Sequence, residues 1–168
     1  CNLKCPICHY GTGLLKRKGK LMKFEDFCHI WDKIKDSTRQ LIIVGQGEAF
    51  LNKDIYRMLD YIKDSTFHYR DRQGNLINEP VWTYIDTNGN VTLDYEKLLE
   101  CNLDVIAFSI DGINQETYEQ YRINGNFQTA VQNLRSLVEA RKVMRLNKPR
   151  IIMKCILKGL RNLLYHLV

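Results

Sequence analysis

The strongest constraint on the fold is a regular alternation between short apolar runs and stretches with helical spacing. Short apolar runs bounded by turn residues are typical of buried strands, whereas apolar residues three and four positions apart indicate amphipathic helices. Strands that alternate with helices favour a parallel sheet, so the sequence predicts an α/β fold with outer helices. The predicted strands are 40–45, 81–86, 104–110 and 150–157, and the predicted helices are 24–37, 53–63, 94–101 and 127–143.

Two further segments complete this interpretation. Residues 64–80 are polar and contain Gly74-Asn75 and Pro80, which predicts a loop or small insertion. Residues 160–168 are apolar with a helical period. The 168 residues contain no internal repeat and no linker-like tract, so we expect one domain or part of one. Because the first residue is Cys rather than Met, we also expect an incomplete translation product.

Composition and charge limit the classes of binding partner that the chain is expected to have. Hydrophobic residues make up 45% and charged residues 26%, which is typical of a globular domain. No apolar run reaches the roughly 18 residues that span a bilayer, and no leader segment is visible. The net charge of +6 comes from two basic ends around an acidic middle. The basic run 16–20 contains no aromatic residue, so we interpret it as solvated surface and expect neither nucleic acid nor a membrane as partner.

Three of the six cysteines lie within the first eight residues, as Cys1, Cys5 and Cys8 with C-x3-C-x2-C spacing. The other three, Cys28, Cys101 and Cys155, are isolated in apolar stretches and are predicted to be small buried hydrophobes. Secreted disulfide scaffolds are usually short and spread their cysteines along the chain. The clustering therefore favours a metal site in a reducing, cytoplasmic compartment.

The three clustered thiols allow two kinds of metal site. Thiolates are soft ligands that suit both zinc and iron–sulfur clusters. A [4Fe–4S] cluster bound by three cysteines keeps one iron open for another ligand. The neighbouring His9 would complete a Cys3His zinc set, although adjacent residues do not readily face one tetrahedral ion. A non-catalytic iron–sulfur or zinc-binding module therefore stays open as an alternative.

Small polar residues follow each predicted strand. Parallel α/β folds bind ligands at the carboxyl ends of their strands, so these residues predict a ligand site along one rim of the sheet. They are Gly45-Gln46-Gly47-Glu48, Thr87-Asn88-Gly89, Ser109-Ile110-Asp111-Gly112 and Lys158-Gly159.

Five motifs, CNLKCPIC (1–8), GQGEAFLN (45–52), DTNG (86–89), FSIDG (108–112) and ETYEQYRINGNF (116–127), lie at these strand ends in chain order. With them the chain resembles the radical S-adenosylmethionine (radical SAM) superfamily, and within it the branch that often has a SPASM or twitch extension. The resemblance implies a partial (β/α) barrel, truncated here. It implies a core domain over residues 1–168 that is incomplete at both ends, without its first strand and last β/α unit.

The resemblance also implies a reaction. Cys1, Cys5 and Cys8 would bind a [4Fe–4S] cluster, and S-adenosylmethionine would chelate the fourth iron. Reductive cleavage would release a 5′-deoxyadenosyl radical that abstracts hydrogen from a substrate. The branch favours a peptide or protein substrate, with small molecules as the alternative, and an electron donor such as flavodoxin or ferredoxin. No catalytic residue is expected beyond the cluster and cofactor, and an inactive truncated fragment is the competing interpretation.

Six cofactor-binding residues are carried over from the family motifs. Gly47 would let the backbone approach the cofactor, and Glu48 would accept from its ammonium group, although Glu48 also suits a helix cap. Ser109 and Arg122 would hydrogen-bond the carboxylate. Asp111 would accept from the ribose hydroxyls, and Asn88 would supply a further polar contact.

Overall fold

The computed structural model describes residues 1–15, 21–45 and 47–155. Short 3-10 turns also occur at Lys35–Ser37 and Ala49–Leu51. The helices of the described residues are α1 (Phe24–Ile34), α2 (Ile55–Ile62), α3 (Tyr95–Glu100), α4 (Gln115–Glu119) and α5 (Phe127–Val143). The strands are β1 (Gln40–Ile43), β2 (Thr66–Arg70), β3 (Leu76–Pro80), β4 (Trp82–Thr87), β5 (Val105–Ser109) and β6 (Arg150–Lys154).

Four strands form a parallel sheet in the order β1-β4-β5-β6. Its register aligns one isoleucine from each strand in a row, namely Ile43, Ile85, Ile106 and Ile151. Such β-branched residues suit strands that are covered by helices. The predicted α/β fold with a parallel sheet and outer helices is confirmed. Over the described residues this sheet is open and does not close into a barrel.

The two faces of the sheet differ in chemistry. On one face Ile85, Ile106 and Phe108 are fully buried and pack in a core with Trp31 of α1 and helical leucines. Side chains alternate along a strand, so the intervening residues point to the opposite face. We call this opposite face the inner face. It presents Tyr84 and Asp86 of β4, Val105, Ala107 and Ser109 of β5, and Ile152 and Lys154 of β6.

Of the two predictions for residues 64–80, the loop is wrong and the small insertion is correct, because β2 and β3 form an antiparallel hairpin there, separate from the main sheet. Its turn is held by Asp71, whose Oδ1 accepts from the backbone N of Gln73 and Asn75 at 2.9 Å each. The hairpin is mostly exposed, and Phe67 is its buried residue in β2. A two-stranded ribbon with little buried surface needs few apolar residues, so its sequence resembles a polar loop.

The four helices that the sequence predicts are present as α1, α2, α3 and α5. The spacing over 127–143 corresponds to α5, whose Ala130 and Leu137 are fully buried. Helix α4 was not predicted, since it has five residues and no apolar periodicity. It begins with a capping box in which Asn114 Oδ1 accepts from Thr117 N at 2.9 Å.

Some predictions fall on parts of the chain that the structure does not describe. They are the basic run 16–20, the end of the fourth predicted strand at 156–157, Lys158-Gly159 and the helical period over 160–168. Among the isolated cysteines Cys101 is buried as predicted, whereas Cys28 and Cys155 are only partly buried. None of the helices in the described ranges has the length and apolar character that crossing a membrane requires.

Candidate functional site

The cysteine loop (residues 1–8) lies against the segment that follows α4. The backbone N of Lys4 donates to the carbonyl of Ile123 at 3.0 Å, and Asn2 Nδ2 donates to the carbonyl of Asn90 at 2.6 Å. The loop turns where Cys8 N donates to Cys5 O at 3.2 Å. Cys5 is buried, whereas Cys1 and Cys8 are partly exposed. The loop is thus anchored through Asn2 and Lys4, before its turn, while the thiols of Cys1 and Cys8 remain accessible.

Gly11 was not singled out from the sequence, yet it is required by this packing. A Cβ at Gly11 would lie 2.6 Å from the carbonyl oxygen of Cys5 and 2.7 Å from its nitrogen. The chain after the loop therefore folds back directly onto the Cys5 backbone. Only glycine permits so close an approach of two backbone segments.

Two residues, one directly after β4 and one in the segment after α4, donate to the sulfurs of this loop. Asn88 Nδ2 lies 3.6 Å from Cys1 Sγ, and Arg122 Nη1 lies 3.7 Å from Cys5 Sγ. Both had been predicted from the sequence to contact a cofactor. The structure places each of them beside a candidate metal ligand.

Within the described residues no group of three or more His, Cys, Asp or Glu side chains is close enough to hold a single metal ion. A single tetrahedral ion needs its ligands around one centre. In an iron–sulfur cluster each cysteine binds a different iron, so the sulfurs stand farther apart. His9 is exposed and forms no part of such a group.

Glu48 lies in the loop after β1, and its side chain is buried, with 7% of the residue exposed. Its Oε1 accepts from Thr87 Oγ1 at 3.0 Å and caps the following 3-10 turn through Phe50 N at 3.3 Å. Its Oε2 accepts from Asn88 N at 2.7 Å. Burial raises the pKa of the Glu48 carboxyl, and these hydrogen bonds limit the rise. Glu48 therefore joins the ends of β1 and β4 in addition to acting as a cap.

The neighbouring Gly47 has a φ of 143°. L-residues with a side chain rarely adopt this conformation, so glycine is favoured at this turn. A Cβ built at Gly47 would meet no atom within 4 Å. The backbone at Gly47 consequently borders open space.

Asn88 belongs to a hydrogen-bonded group that includes Tyr118. Tyr118 is fully buried, and its hydroxyl accepts from Asn90 Nδ2 at 2.7 Å and lies 3.4 Å from Asn88 O. The Asn88 amide also donates to Asn2 Oδ1 at 2.9 Å. Burial raises the pKa of Tyr118 to about 12, so this hydroxyl stays neutral at ordinary pH. The group connects α4, the turn after β4 and the cysteine loop.

Asp111 and Arg122 form an ion pair at the end of β5. Arg122 Nε donates to Asp111 Oδ2 at 2.5 Å, with the two side chains 16% and 2% exposed. Desolvation disfavours the charged guanidinium, but the negative charges of Asp111 and Cys5 outweigh it and raise the pKa of Arg122. The Arg122 guanidinium thus bridges Asp111 and a cysteine sulfur.

Ser109 lies at the end of β5 on the inner face, with Lys154 of β6 as its register partner. Lys154 Nζ donates to Asp86 Oδ1 at 2.7 Å, and Tyr84 OH donates to the same oxygen at 2.7 Å. Sequence reasoning missed Lys154 and Asp86. The available signal was a charged residue close to the carboxyl end of each of two strands.

The donor set fits an iron–sulfur cluster and S-adenosylmethionine. Three thiols lie on one loop, with amide and guanidinium N–H groups directed at two of them. Donors of this kind stabilise the charge on cluster sulfurs. Glu48, Ser109 and Lys154 supply an acceptor, a hydroxyl and a cation at the same rim, which suits a ligand with ammonium and carboxylate groups.

Comparisons with known proteins agree with this chemistry. The profile of the Radical SAM superfamily matches residues 1–152. A probable GTP 3′,8-cyclase from Methanococcus maripaludis (strain C5) is 27% identical over 140 residues, which is 83% of this chain and 42% of that protein. The mycofactocin maturase MftC of Mycolicibacterium smegmatis is 27% identical over 142 residues, covering 83% of this chain and 32% of the maturase.

A solved structure described as native anSMEcpe with bound AdoMet, that is, S-adenosylmethionine, has a similar fold. It superposes with a TM-score of 0.59 at 20% identity, over 92% of this chain and 41% of that chain. The chain spans less than half the length of these curated relatives, whose names are those of enzymes. Since the family profile covers nearly all of the sequence, the chain belongs to the radical SAM superfamily.

Proposed function

We propose that this chain is the radical-generating core of an enzyme that cleaves S-adenosylmethionine reductively. The single observation that supports this most is the placement of the cysteine loop. It lies beside the carboxyl ends of β4 and β5, with Asn88 and Arg122 donating to two of its sulfurs. A loop of thiols at the ligand-binding edge of a parallel sheet suits a reactive centre better than a peripheral structural metal.

Cys1, Cys5 and Cys8 are the proposed ligands of a [4Fe–4S] cluster. Once bound, such a cluster would supply the electron for reductive cleavage of S-adenosylmethionine, the chemistry that would start hydrogen abstraction from a substrate. The protein's role around the cluster is to hold the cysteine ligands in position. Asn88 and Arg122 hold two cysteine side chains in place. The hydroxyl of Tyr118 donates to the backbone carbonyl of Asn88 and so holds Asn88 in position.

Each of the remaining predicted residues is proposed to contact a different group of the cofactor. Glu48 is the proposed acceptor for the cofactor ammonium, because its carboxylate is buried and accepts from the backbone N of Asn88, whose side chain lies beside Cys1 Sγ. Ser109 is the proposed contact for the carboxylate, and Gly47 provides room for the cofactor. Asp111 stays the proposed acceptor for ribose, with Arg122 holding its side chain in a defined position.

The substrate follows less directly from the chain. The relatives are named as a GTP cyclase and as a mycofactocin maturase, so they support more than one kind of substrate. The similarity to MftC supports the SPASM or twitch branch and hence a peptide or protein. Residues 1–168 are proposed to be part of a radical SAM core domain within a longer enzyme. A flavodoxin or ferredoxin is the proposed electron donor.

Anaerobic reconstitution with iron and sulfide tests this proposal. The wild-type chain is expected to bind close to four irons, to show a visible absorption band, and to give a reduced EPR signal that S-adenosylmethionine perturbs. Release of 5′-deoxyadenosine with dithionite as reductant is the activity readout. Stoichiometric zinc, with no effect of S-adenosylmethionine, would instead identify a non-catalytic metal-binding module.

Cys5→Ala is the sharpest variant, because Cys5 is the buried cysteine of the loop and its sulfur faces Arg122. We expect it to abolish cluster binding. Cys28→Ser is the matched control, since Cys28 lies on α1 outside the cysteine loop and is only partly buried. Normal iron content in Cys5→Ala, or equal loss in both variants, would contradict the proposed ligand set.

A further inference from the structure

The side chain of Asn88 is predicted from the sequence to contact the cofactor, but both N–H groups of its amide already have protein partners. Its Nδ2 donates to Asn2 Oδ1 at 2.9 Å and to Cys1 Sγ at 3.6 Å. Its Oδ1 accepts from the backbone N of Asn90 at 2.7 Å. A carboxamide nitrogen has two N–H donors, and these two partners use both. The Asn88 side chain therefore has no N–H left for a bound ligand.

The direction of this amide follows from the chemistry of its neighbours. A backbone N–H can only donate, so the Asn88 atom that faces Asn90 N must be the oxygen. A backbone carbonyl can only accept, so Asn2 turns its Nδ2 toward the carbonyl of Asn90, at 2.6 Å, and its Oδ1 toward Asn88. The two constraints agree, and both leave Asn88 Nδ2 facing the Cys1 sulfur.

Asn90, which orients this amide, is itself held by two helical segments. Its Nδ2 donates to the hydroxyl of Tyr118 on α4 at 2.7 Å. Its Oδ1 accepts from the backbone N of Asn126, the N-cap of α5, at 2.6 Å. From α5, Asn133 Nδ2 donates to the backbone carbonyls on either side of Asn90 at 2.7 and 2.8 Å. The position of the sulfur donor is therefore set by how the turn after β4 packs against α4 and α5.

The surroundings of the Asn88 amide strengthen its bond to the sulfur. Asn88 is 5% exposed and Cys1 is only partly exposed, so little water competes for either group. Hydrogen bonds to cysteine sulfurs influence the reduction potential of an iron–sulfur cluster. They stabilise the reduced state more, because that state has the greater negative charge. Removal of the Asn88 donor should therefore make the reduction potential more negative.

We propose that the Asn88 side chain acts on the cluster through the Cys1 sulfur and does not bind S-adenosylmethionine, and that Asn90 and Asn2 position its amide. This inference rests on the proposed function, since it requires a [4Fe–4S] cluster on Cys1. It replaces the cofactor contact that the sequence predicts for Asn88 with a contact to a cluster ligand.

Asn88→Ser tests the assignment in the anaerobically reconstituted chain. Serine can still accept from the backbone N of Asn90 in the same kind of turn, but its hydroxyl ends one atom short of the amide nitrogen. In EPR-monitored redox titration, the ratio of reduced to oxidised cluster at a fixed potential should fall roughly 3- to 10-fold. That change corresponds to a potential about 30–60 mV more negative for one electron. Equilibrium binding of S-adenosylmethionine to the oxidised cluster should change less than about threefold, because no cofactor contact is lost.

Asn133→Ser is the matched control, because Asn133 bonds to the same turn without contacting a cysteine. Its amide donates to the carbonyls of Gly89 and Val91 and accepts from the hydroxyl of Tyr95. Asn133→Ser should lower the free energy of unfolding, measured in urea, and should leave the reduction potential of the cluster equal to that of the wild type.

Asn90→Ala tests the positioning role. It removes the side chain that holds the turn while the Asn88 amide stays present, so it should shift the potential in the same direction by a smaller amount. Combined with Asn88→Ser it should give no further shift, because Asn90 acts through Asn88. Circular dichroism and iron content establish that each variant is folded and loaded. If Asn88→Ser does not load, Asn88→Asp replaces it, since it also keeps an acceptor for Asn90 N and should lower the potential further.

The outcomes separate this inference from the proposed function. If the wild-type chain binds no [4Fe–4S] cluster, both fall. If it binds one and Asn88→Ser keeps the wild-type potential, or if Asn133→Ser shifts the potential equally, Asn88 is not a donor to the cluster and the proposed function stands. A loss of affinity for S-adenosylmethionine of tenfold or more in Asn88→Ser would return Asn88 to the cofactor contacts and overturn the inference.

Discussion

The hydroxyl of Tyr118 offers the clearest quantitative prediction, because one atom connects α4 to the turn that contacts the cysteine loop. It accepts from Asn90 Nδ2 at 2.7 Å and lies 3.4 Å from the carbonyl of Asn88, in a side chain with no exposed surface. Tyr118→Phe keeps the ring and its packing against Phe127 while it removes both hydrogen bonds.

The expected cost follows from those two contacts. A hydrogen bond contributes about 1 kcal/mol net, and a donor left buried without a partner costs about 1–3 kcal/mol. We therefore expect Tyr118→Phe to lower the free energy of unfolding by about 2–3 kcal/mol. In a domain of this size that corresponds to a fall in Tm of roughly 4–12 °C. Because burial raises the pKa of Tyr118 to about 12, the loss should be constant between about pH 6 and 9.

Urea unfolding followed by circular dichroism measures this difference, with Tyr69→Phe as the matched control. Tyr69 is 39% exposed and its hydroxyl donates to Glu79 Oε1 at 3.2 Å on the hairpin. Its removal should cost less than about 0.5 kcal/mol. Equal losses in the two variants, or a loss below about 1 kcal/mol in Tyr118→Phe, would refute the structural role assigned to this hydroxyl.

Two further predictions concern charge near the cysteine loop. Arg122→Met removes a cation 3.7 Å from Cys5 Sγ, whose positive charge is partly offset by the paired Asp111. Without this cation the reduced cluster is stabilised less, so the cluster reduction potential should become about 50–100 mV more negative. EPR-monitored redox titration measures this shift. A potential equal to that of the wild type would mean that Arg122 does not act on the cluster. For Glu48, the folded-state pKa is raised above the ordinary value of 4.5, so the folded state binds the proton more tightly and stability falls as pH rises from about 4.5 through the raised pKa. In urea titrations across this range Glu48→Gln should lack that decline, and a parallel pH profile in both proteins would count against the assignment.

The rim of the sheet that carries the candidate site could be predicted from the sequence, but the contacts between its residues could not. Turn residues after each apolar run place Glu48, Asn88, Ser109 and Asp111 at one rim, because parallel strands expose their carboxyl ends together. Which of them touch depends on distances between segments far apart in the chain. Asn88 and Cys1 are 87 residues apart and Arg122 and Cys5 are 117 apart, so no local pattern relates them.

The hairpin of β2 and β3 illustrates the second reason for a wrong prediction. Hydrophobic periodicity reports burial, and this ribbon buries little besides Phe67. Its strands are stabilised by cross-strand polar pairs such as Tyr69 with Glu79, which leave no apolar signal. The short helix α4 escaped prediction for a related reason, since its start depends on a cap at Asn114 rather than on an apolar face.

The sequence alone determined the alternation of strands and helices, the cluster of three thiols and the family motifs. Each of these is a local pattern, set by side-chain chemistry over a few consecutive residues. Only the tertiary structure decided that Arg122 is divided between Asp111 and Cys5, that Gly11 packs on the Cys5 backbone, and that Lys154 stands beside Ser109. These relationships arise from strand register and from close packing between distant segments, and both depend on the whole folded chain.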